Sequence, residues 1–378
     1  MVLLHLVRLD AANPLSPGHD TLTSDLDSSA IAGLVRLGQQ RSGAGSAAAF
    51  FDVHGVTTRV ESNSRKVIGA LEHFFRAFPG KETAAPDIRV FLYTVNELDG
   101  ETATVPESAA MLYDWGKVRI FHEGPLRYEQ VDTRALVVAD VEARASVGFA
   151  QEGLLETDWL ITNLFFYPLW AQLLKECGLF PLHAAGLVRE GRSCLFLGRS
   201  GSGKSTLSLH LVRNGYGLLS DDTVFLRESG GPVEALSFPE EINVSEQTIE
   251  LIPELSRVEN FTVNELRQKS SFQIEELYPG CIADSSAPAL MVFPQIAETE
   301  ATVLAPMTNT EALALALRYG FFFLDPSTTG RHFEILSLLA KQTQCFRLYS
   351  GSDQEQLEHA VDTLLAGSLG QGQAGGVT

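Results

Sequence analysis

The stretch Gly198–Thr206, GRSGSGKST, sits between an apolar run of strand length, SCLFL, and a segment placing Leu207, Leu211 and Val212 at helical spacing. A strand that runs through a glycine loop into a helix commits this part of the chain to an α/β arrangement. Gly198, Gly203, Lys204 and Ser205 satisfy the pattern G-x-x-x-x-G-K-[S/T], and Thr206 follows. Each part has a physical reason. The glycines let backbone N–H groups curl around phosphate oxygens in conformations that a side chain would obstruct. Lys204 places a point charge on the outer phosphates, and Ser205 offers a hydroxyl to Mg²⁺. The helix from Lys204 to Arg213 aims the positive end of its dipole at the same anions. Gly198, Arg199, Ser200, Gly201, Ser202, Gly203, Lys204, Ser205 and Thr206 are therefore the candidate nucleotide-binding residues.

The same helix leads through a turn at Gly215 into GYGLLSDD, which ends on Asp221 and Asp222. One helix and one tight turn thus bring two adjacent acids straight back to the loop. Adjacent carboxylates at a strand end point to different sides, so one can face a metal while the other faces an incoming hydroxyl. A carboxylate is a competent base for a hydroxyl in phosphoryl transfer, where positioning contributes more than proton affinity. Ser205 and Asp221 are the candidate metal ligands, and Asp222 is the candidate base. Upstream, His183 starts the strand HAAGLV, where two alanines and Gly186 leave room for another group to approach; alone it is an ordinary histidine.

Composition narrows the partners. With 28 basic and 47 acidic residues the formal net charge is −19, and such a surface repels a polyanion, which argues against nucleic acid. Any nucleotide must be held by a local cluster of positive groups. Cys177, Cys194, Cys281 and Cys345 are scattered and form no CxxC pair, as buried thiols in a reducing cytoplasm would be. MVLLHLVRLD lacks both a basic leader and a cleavage site, so no export signal is expected. The most apolar stretch, Trp159–Leu174, carries Asn163, Pro168 and Gln172 and reads as a buried core helix rather than a membrane span.

The 378 residues are long enough for two domains. Residues 1–150 read as an α+β lobe, a candidate holder of substrate or partner. It contains a strand over 2–8, a loop-like 10–46 with a short helix in SSAIAGLVRLG, and a hairpin turning at His54-Gly55. An amphipathic helix follows in SRKVIGALEHFFRAF, then strands DIRVFLYTV and RALVVADV, and a second hairpin near Trp115-Gly116. His54, His73 and His122 stand alone in this lobe and are assigned no chemistry. Residues 151–366 read as the nucleotide-binding domain, with a turn at Glu190-Gly191, strands ALMVFP and EATVLAP, and helices TNTEALALALR, GRHFEILSLLAKQ and SDQEQLEHAVDTLLAG. The tail 367–378 is low in complexity and is expected to be disordered.

LHAAGLV, GRSGSGKST and GYGLLSDD, in this order and spacing, resemble the HPr kinase/phosphorylase family and the broader group of HPr-kinase-related bacterial kinases. The likeness extends over about residues 153–366, with specific motifs only between 180 and 225. It implies a P-loop fold related to phosphoenolpyruvate carboxykinase rather than to Ras-like NTPases, with ATP and Mg²⁺ as ligands. It also implies that His183 belongs to the active site, that Lys204 and Ser205 hold phosphates and Mg²⁺, and that Asp222 takes the proton from the acceptor hydroxyl with Asp221 in support. The chain departs from the family in carrying Thr206 where HPr kinases have glutamate, and in lacking the family's arginine-rich segment after residue 240. Glu240 or Glu241 falls near the family's second metal ligand. Lys269, in LRQKSSF, is a phosphate clamp or an ordinary solvated lysine. An ATP-dependent kinase acting on a serine or threonine hydroxyl of a peptide or protein is the leading expectation. A small-molecule kinase on the same scaffold and a non-catalytic ATP-binding sensor are the alternatives, and a homo-oligomer is left open.

Overall fold

A computed structural model describes residues 30–42, 46–98, 104–199, 201–228, 230–259, 261–264, 269–296, 302–320, 325–350, 356 and 358–365. The expected strand over 2–8, Ser200 and the tail 367–378 lie outside the described residues. The chain divides into two compact units, Met1–Cys177 and Gly178–Thr378. The helical segment that the sequence reading placed at the head of a second domain starting at 151 thus belongs to the first unit.

In the first unit, eight strands form one sheet: β1 (Ala47–Val53), β2 (Val56–Ser62), β3 (Ile88–Val95), β4 (Ala110–Asp114), β5 (Val118–Glu123), β6 (Leu126–Val131), β7 (Ala135–Asp140) and β8 (Ala145–Gln151). Their order is β1-β2-β3-β8-β7-β6-β5-β4. The β1–β2 turn has positive φ at both His54 (52°) and Gly55 (88°), the geometry that matches the twist of a two-residue hairpin. Helix α1 (Ala30–Ser42) covers one face through Ile31 and Val35, which cluster with Tyr93, Tyr128, Val147 and Phe149. Gly148 faces the other way, where a Cβ would come within 2.8 Å of Phe165. That second face is covered by α2 (Arg65–Phe74) and by the run of α3 (Asp158–Leu160), a π-helical stretch Ile161–Phe166 and α4 (Tyr167–Glu176). Phe75 stacks on Phe51 at 4.5 Å and meets the Trp170 ring edge-on at 4.9 Å. The Trp170 indole N–H donates to Thr58 Oγ1 at 3.1 Å. The expectation of a buried helix over 159–174 therefore holds. Among the described residues no helix is long and apolar enough to cross a membrane.

Strands β6 and β8 escaped the sequence reading. LRYEQV looks polar because Arg127 and Glu129 are buried charges, 2% and 0% exposed. Glu129 lies between Ile120 and Val137 in the sheet, and neither carboxylate oxygen has a hydrogen-bond partner. Burial without a partner pushes its pKa well above the ordinary 4.5, so the folded protein holds it as the neutral acid. The unfolded chain releases that proton near 4.5, so stability is full below this pH and falls as pH rises toward the folded value. Glu129→Gln removes this slope. In thermal melts from pH 5 to 9 the variant should gain on the parent by up to about 1.4 kcal/mol per pH unit. Parallel pH profiles for the two proteins would show that Glu129 finds a partner.

In the second unit a mixed sheet is built around one long strand. The strands are β9 (Phe180–His183), β10 (Ala185–Arg189), β11 (Arg192–Phe196), β12 (Gly217–Ser220), β13 (Thr223–Glu228), β14 (Val233–Leu236), β15 (Ile242–Val244), β16 (Thr262–Asn264), β17 (Lys269–Phe272), β18 (Ser285–Ile296), β19 (Val303–Pro306) and β20 (Gln344–Ser350). On one side β18 pairs in parallel with β11; on the other it pairs with β14 at its start and with β20 along its second half. The order β12-β10-β11-β18-β14-β13-β9 follows, with β20 and β19 branching off, and β15, β17 and β16 form a separate small sheet.

The helices are α5 (Lys204–Arg213), α6 (Glu246–Leu251), α7 (Asn309–Gly320) and α8 (Thr329–Gln342), and residues 358–365 are helical. Alternate residues of β11 serve two cores. Cys194 and Phe196 pack with Leu207 and Leu211 of α5, while Leu195 packs with Ala312 of α7 and Leu336 of α8. Both faces being covered explains why β11 reads as a continuous apolar run. The fold is mixed α/β, as expected. Two readings around His183 are corrected. His183 ends β9, and a new strand begins at Ala185, so HAAGLV is not one strand. The space beside Gly186 is filled, since a Cβ there would meet Val224 Cγ1 at 2.9 Å and Leu219 Cβ at 3.1 Å. The small residues permit tight core packing instead of the approach of another group.

Candidate functional site

The loop after β11 is anchored where Leu197 N–H donates to Val292 O of β18 at 2.9 Å. It then curls on itself. Gly203, the residue before α5, has φ 89°, a left-handed conformation that a side chain would strain. At Gly198 a Cβ would lie 2.6 Å from Ser202 Oγ, so the curl closes only without one. Lys204 is 8% exposed, and its ammonium donates to Gly198 O at 2.8 Å and Arg199 O at 3.4 Å. Burial lowers its pKa; Asp222 and Asp221 oppose that shift, and Lys269 adds to it. Arg199 is exposed, and its carbonyl also accepts from Ser202 N–H at 3.2 Å.

Helix α5 stops at a point set by sequence. Gly215 (φ 89°) donates its N–H to Val212 O at 3.0 Å, and Tyr216 N–H donates to Leu211 O at 3.1 Å. This paired closure needs a left-handed residue after the cap, which glycine supplies. The chain then enters β12 and reaches Ser220, whose hydroxyl accepts from Asp222 N–H at 3.3 Å and Thr223 N–H at 3.1 Å. That small turn fixes both aspartates. Asp221 Oδ2 accepts from Ser205 Oγ at 2.7 Å. Asp222 Oδ1 lies 3.2 Å from His183 Nδ1, because antiparallel pairing of β9 and β13 sets His183 opposite Thr223. The two acids do point to different sides, one to each of the groups that the sequence had singled out.

Electrostatics separate the pair. Asp221 is 8% exposed, and burial pushes its carboxyl up, against the hydroxyls of Ser205 and Ser208, which favour the charged form. Its second oxygen, Oδ1, is buried and has no hydrogen-bond partner. A buried carboxylate oxygen left unmatched beside a serine hydroxyl suits a divalent cation. The Asp222 side chain is 31% exposed and so can meet a solute. His183 is 5% exposed, and burial pulls its pKa well below the ordinary 6.5; Asp222 pulls the other way, and Lys204 reinforces the lowering. The buried His183 thus sets Nδ1 within 3.2 Å of the Asp222 carboxylate, a contact of ion-pair distance.

Other expected residues lie elsewhere. The Thr206 hydroxyl is 3.1 Å from Thr248 Oγ1 of α6, which ties it to that helix. Glu241 Oε2 accepts from Ser271 Oγ at 2.6 Å in the small sheet. Among the described residues no group of three or more His, Cys, Asp or Glu side chains could hold a metal by itself. A Mg²⁺ at Ser205 and Asp221 would therefore draw its remaining ligands from phosphate and water, its ordinary habit. Ser208 was missed; it lies on the same helix face as Lys204, four residues on, a spacing that sequence alone displays.

No family model and no curated protein matches the chain. Among solved structures it is similar to the HPr(Ser) kinase/phosphatase from Coxiella burnetii, at 12% identity and a TM-score of 0.28. That match covers 51% of this chain and 98% of the other. A likeness so loose carries no argument about the reaction, and the functional reading rests on the geometry of the loop, the aspartate pair and His183.

Proposed function

We propose that the second unit binds Mg-ATP at the Gly198–Thr206 loop and transfers the γ-phosphoryl group to a serine or threonine hydroxyl of a peptide or protein. The observation that carries this reading is the divergence of the two aspartates, Asp221 onto Ser205 at 2.7 Å and Asp222 onto His183 at 3.2 Å. It supports separate tasks for adjacent carboxylates. Ser205 and Asp221 would hold Mg²⁺, which when bound screens the charge of the phosphates. Lys204 and the N-terminal end of α5 attract the same phosphates and favour the in-line geometry on which phosphoryl transfer depends. Asp222, oriented by His183, accepts the acceptor's proton as the hydroxyl oxygen bonds to the γ-phosphorus. The bond from that phosphorus to the bridging oxygen breaks, its electron pair leaves with ADP, and the proton passes from Asp222 to solvent.

Incubating the full chain with Mg-ATP and a panel of peptides and hydroxylated metabolites, read by mass spectrometry, tests the reaction. A gain of one phosphate on an acceptor, matched by ADP, is the expected result. Stable ATP binding with every acceptor unmodified would favour a sensor instead.

A further inference from the structure

The first N–H groups of a helix find no partner inside it, and an anion at the glycine loop needs those of α5 left open. Gly203, the residue before α5, has no side chain to cap them. Other helices of the chain are capped by serine. Ser64 Oγ accepts from Val67 N–H at 3.4 Å at the start of α2, and Ser245 Oγ accepts from Thr248 N–H at 3.2 Å at the start of α6. A helix end without such a cap is less stable, so what steadies the first turn of α5 must reach it from elsewhere in the fold.

Two side chains of that turn make such contacts, in different directions. Ser205 Oγ donates to Asp221 Oδ2 at 2.7 Å, just past the end of β12. Thr206 Oγ1 lies 3.1 Å from Thr248 Oγ1, which in turn lies 3.0 Å from Ser245 Oγ. Successive residues of a helix are rotated about 100° around its axis, so the two contacts brace one turn on two sides. A single brace lets the turn rock about it, whereas two fix its rotation. The second brace has a firm footing. Thr248 is 6% exposed, and Ile242 and Val244 of β15 and Ile252 just past α6 share one core with Leu207 and Leu211 of α5.

We propose that Thr248 is a positioning residue of the nucleotide site. Acting through Thr206, it holds the first turn of α5 at the rotation in which Ser205 meets Asp221 and the helix N–H groups face the phosphates. The proposal rests on the nucleotide reading above and adds α6 to the parts on which that site depends. Loss of the Thr248 hydroxyl is felt at the Ser205–Asp221 pair, and hence in the demand for Mg²⁺.

Calorimetric titration of the full chain with ATP at a series of Mg²⁺ concentrations tests it. Thr248→Val keeps the shape of the side chain and removes its hydroxyl. It should weaken Mg-ATP by about threefold to tenfold, the worth of one hydrogen bond between neutral groups, and raise the Mg²⁺ concentration at half-saturation. Thr248→Ser should restore both. When Thr206→Val and Thr248→Val are combined, the loss should not exceed that of the worse single variant, because both cut one contact. Should Thr248→Val lose its fold by circular dichroism, Thr206→Val cuts the same contact from the other side and carries the measurement. A chain that is merely destabilised binds with lower stoichiometry at the parent's affinity. That result, affinity within about twofold of the parent, overturns the role of Thr248 and leaves the loop assignment intact. Additive losses in the double variant do the same. An unsubstituted chain that binds no Mg-ATP overturns the nucleotide reading as well.

Discussion

Asp222→Asn should still bind Mg-ATP, within about threefold of the parent, and lose phosphoryl transfer by about 10²- to 10⁴-fold. Asparagine keeps the volume of the side chain and can keep its place 3.2 Å from His183 Nδ1. It cannot take a proton. The Asp222 side chain is 31% exposed whereas Asp221 is buried, which makes Asp222 the member of the pair that an acceptor can reach. Removing its charge also removes an influence that favours the protonated form of Lys204, which is why binding must be measured beside turnover. Full residual transfer would show that another group is the base. Loss of Mg-ATP binding in a folded variant would place Asp222 within the nucleotide pocket. Asp221→Asn makes the contrast: it strips the carboxylate that meets Ser205, so the metal requirement should shift to higher Mg²⁺ concentrations before turnover falls.

The loop and the acids were legible because each depends on local rules. Gly203 and Gly215 announce left-handed residues at the two ends of α5, and between them the apolar spacing of Leu207, Leu211 and Val212 defines the helix. The length of that helix returns the chain to Ser220 and the aspartates. What stayed illegible was long-range pairing. Nothing in PLHAAGLV says that the strand breaks after His183, or that β9 and β10 serve different parts of one sheet. The break matters, because only β9's pairing with β13 brings His183 to Asp222. Gly186 misled for a related reason: a small residue signals close approach, but sequence does not say of what, and Val224 and Leu219 turned out to be the neighbours. Strands β15, β16 and β17 are three or four residues each, too short for any periodicity to register. In the first unit β6 was hidden by Arg127 and Glu129, buried charges that break the apolar alternation expected of a strand.

Lys204→Ala should abolish detectable Mg-ATP binding and transfer, with affinity falling at least about a hundredfold. The substitution acts twice. It removes the point charge that meets the outer phosphates, and it removes the ammonium that now bonds Gly198 O at 2.8 Å and Arg199 O at 3.4 Å across the curl of the loop. The second effect makes alanine a blunt probe, since a loosened loop also loses its preset arrangement of N–H donors. Lys204→Arg separates them. Arginine keeps the charge, but its broad planar head does not fit a site that leaves Lys204 only 8% exposed. Near-total loss in both variants, with melting temperatures close to the parent's, assigns the function to the compact ammonium in its place. Recovery by arginine assigns it to charge alone. Unchanged affinity and turnover in Lys204→Ala would remove the loop from the mechanism, and with it the reason for placing Mg²⁺ at Ser205 and Asp221.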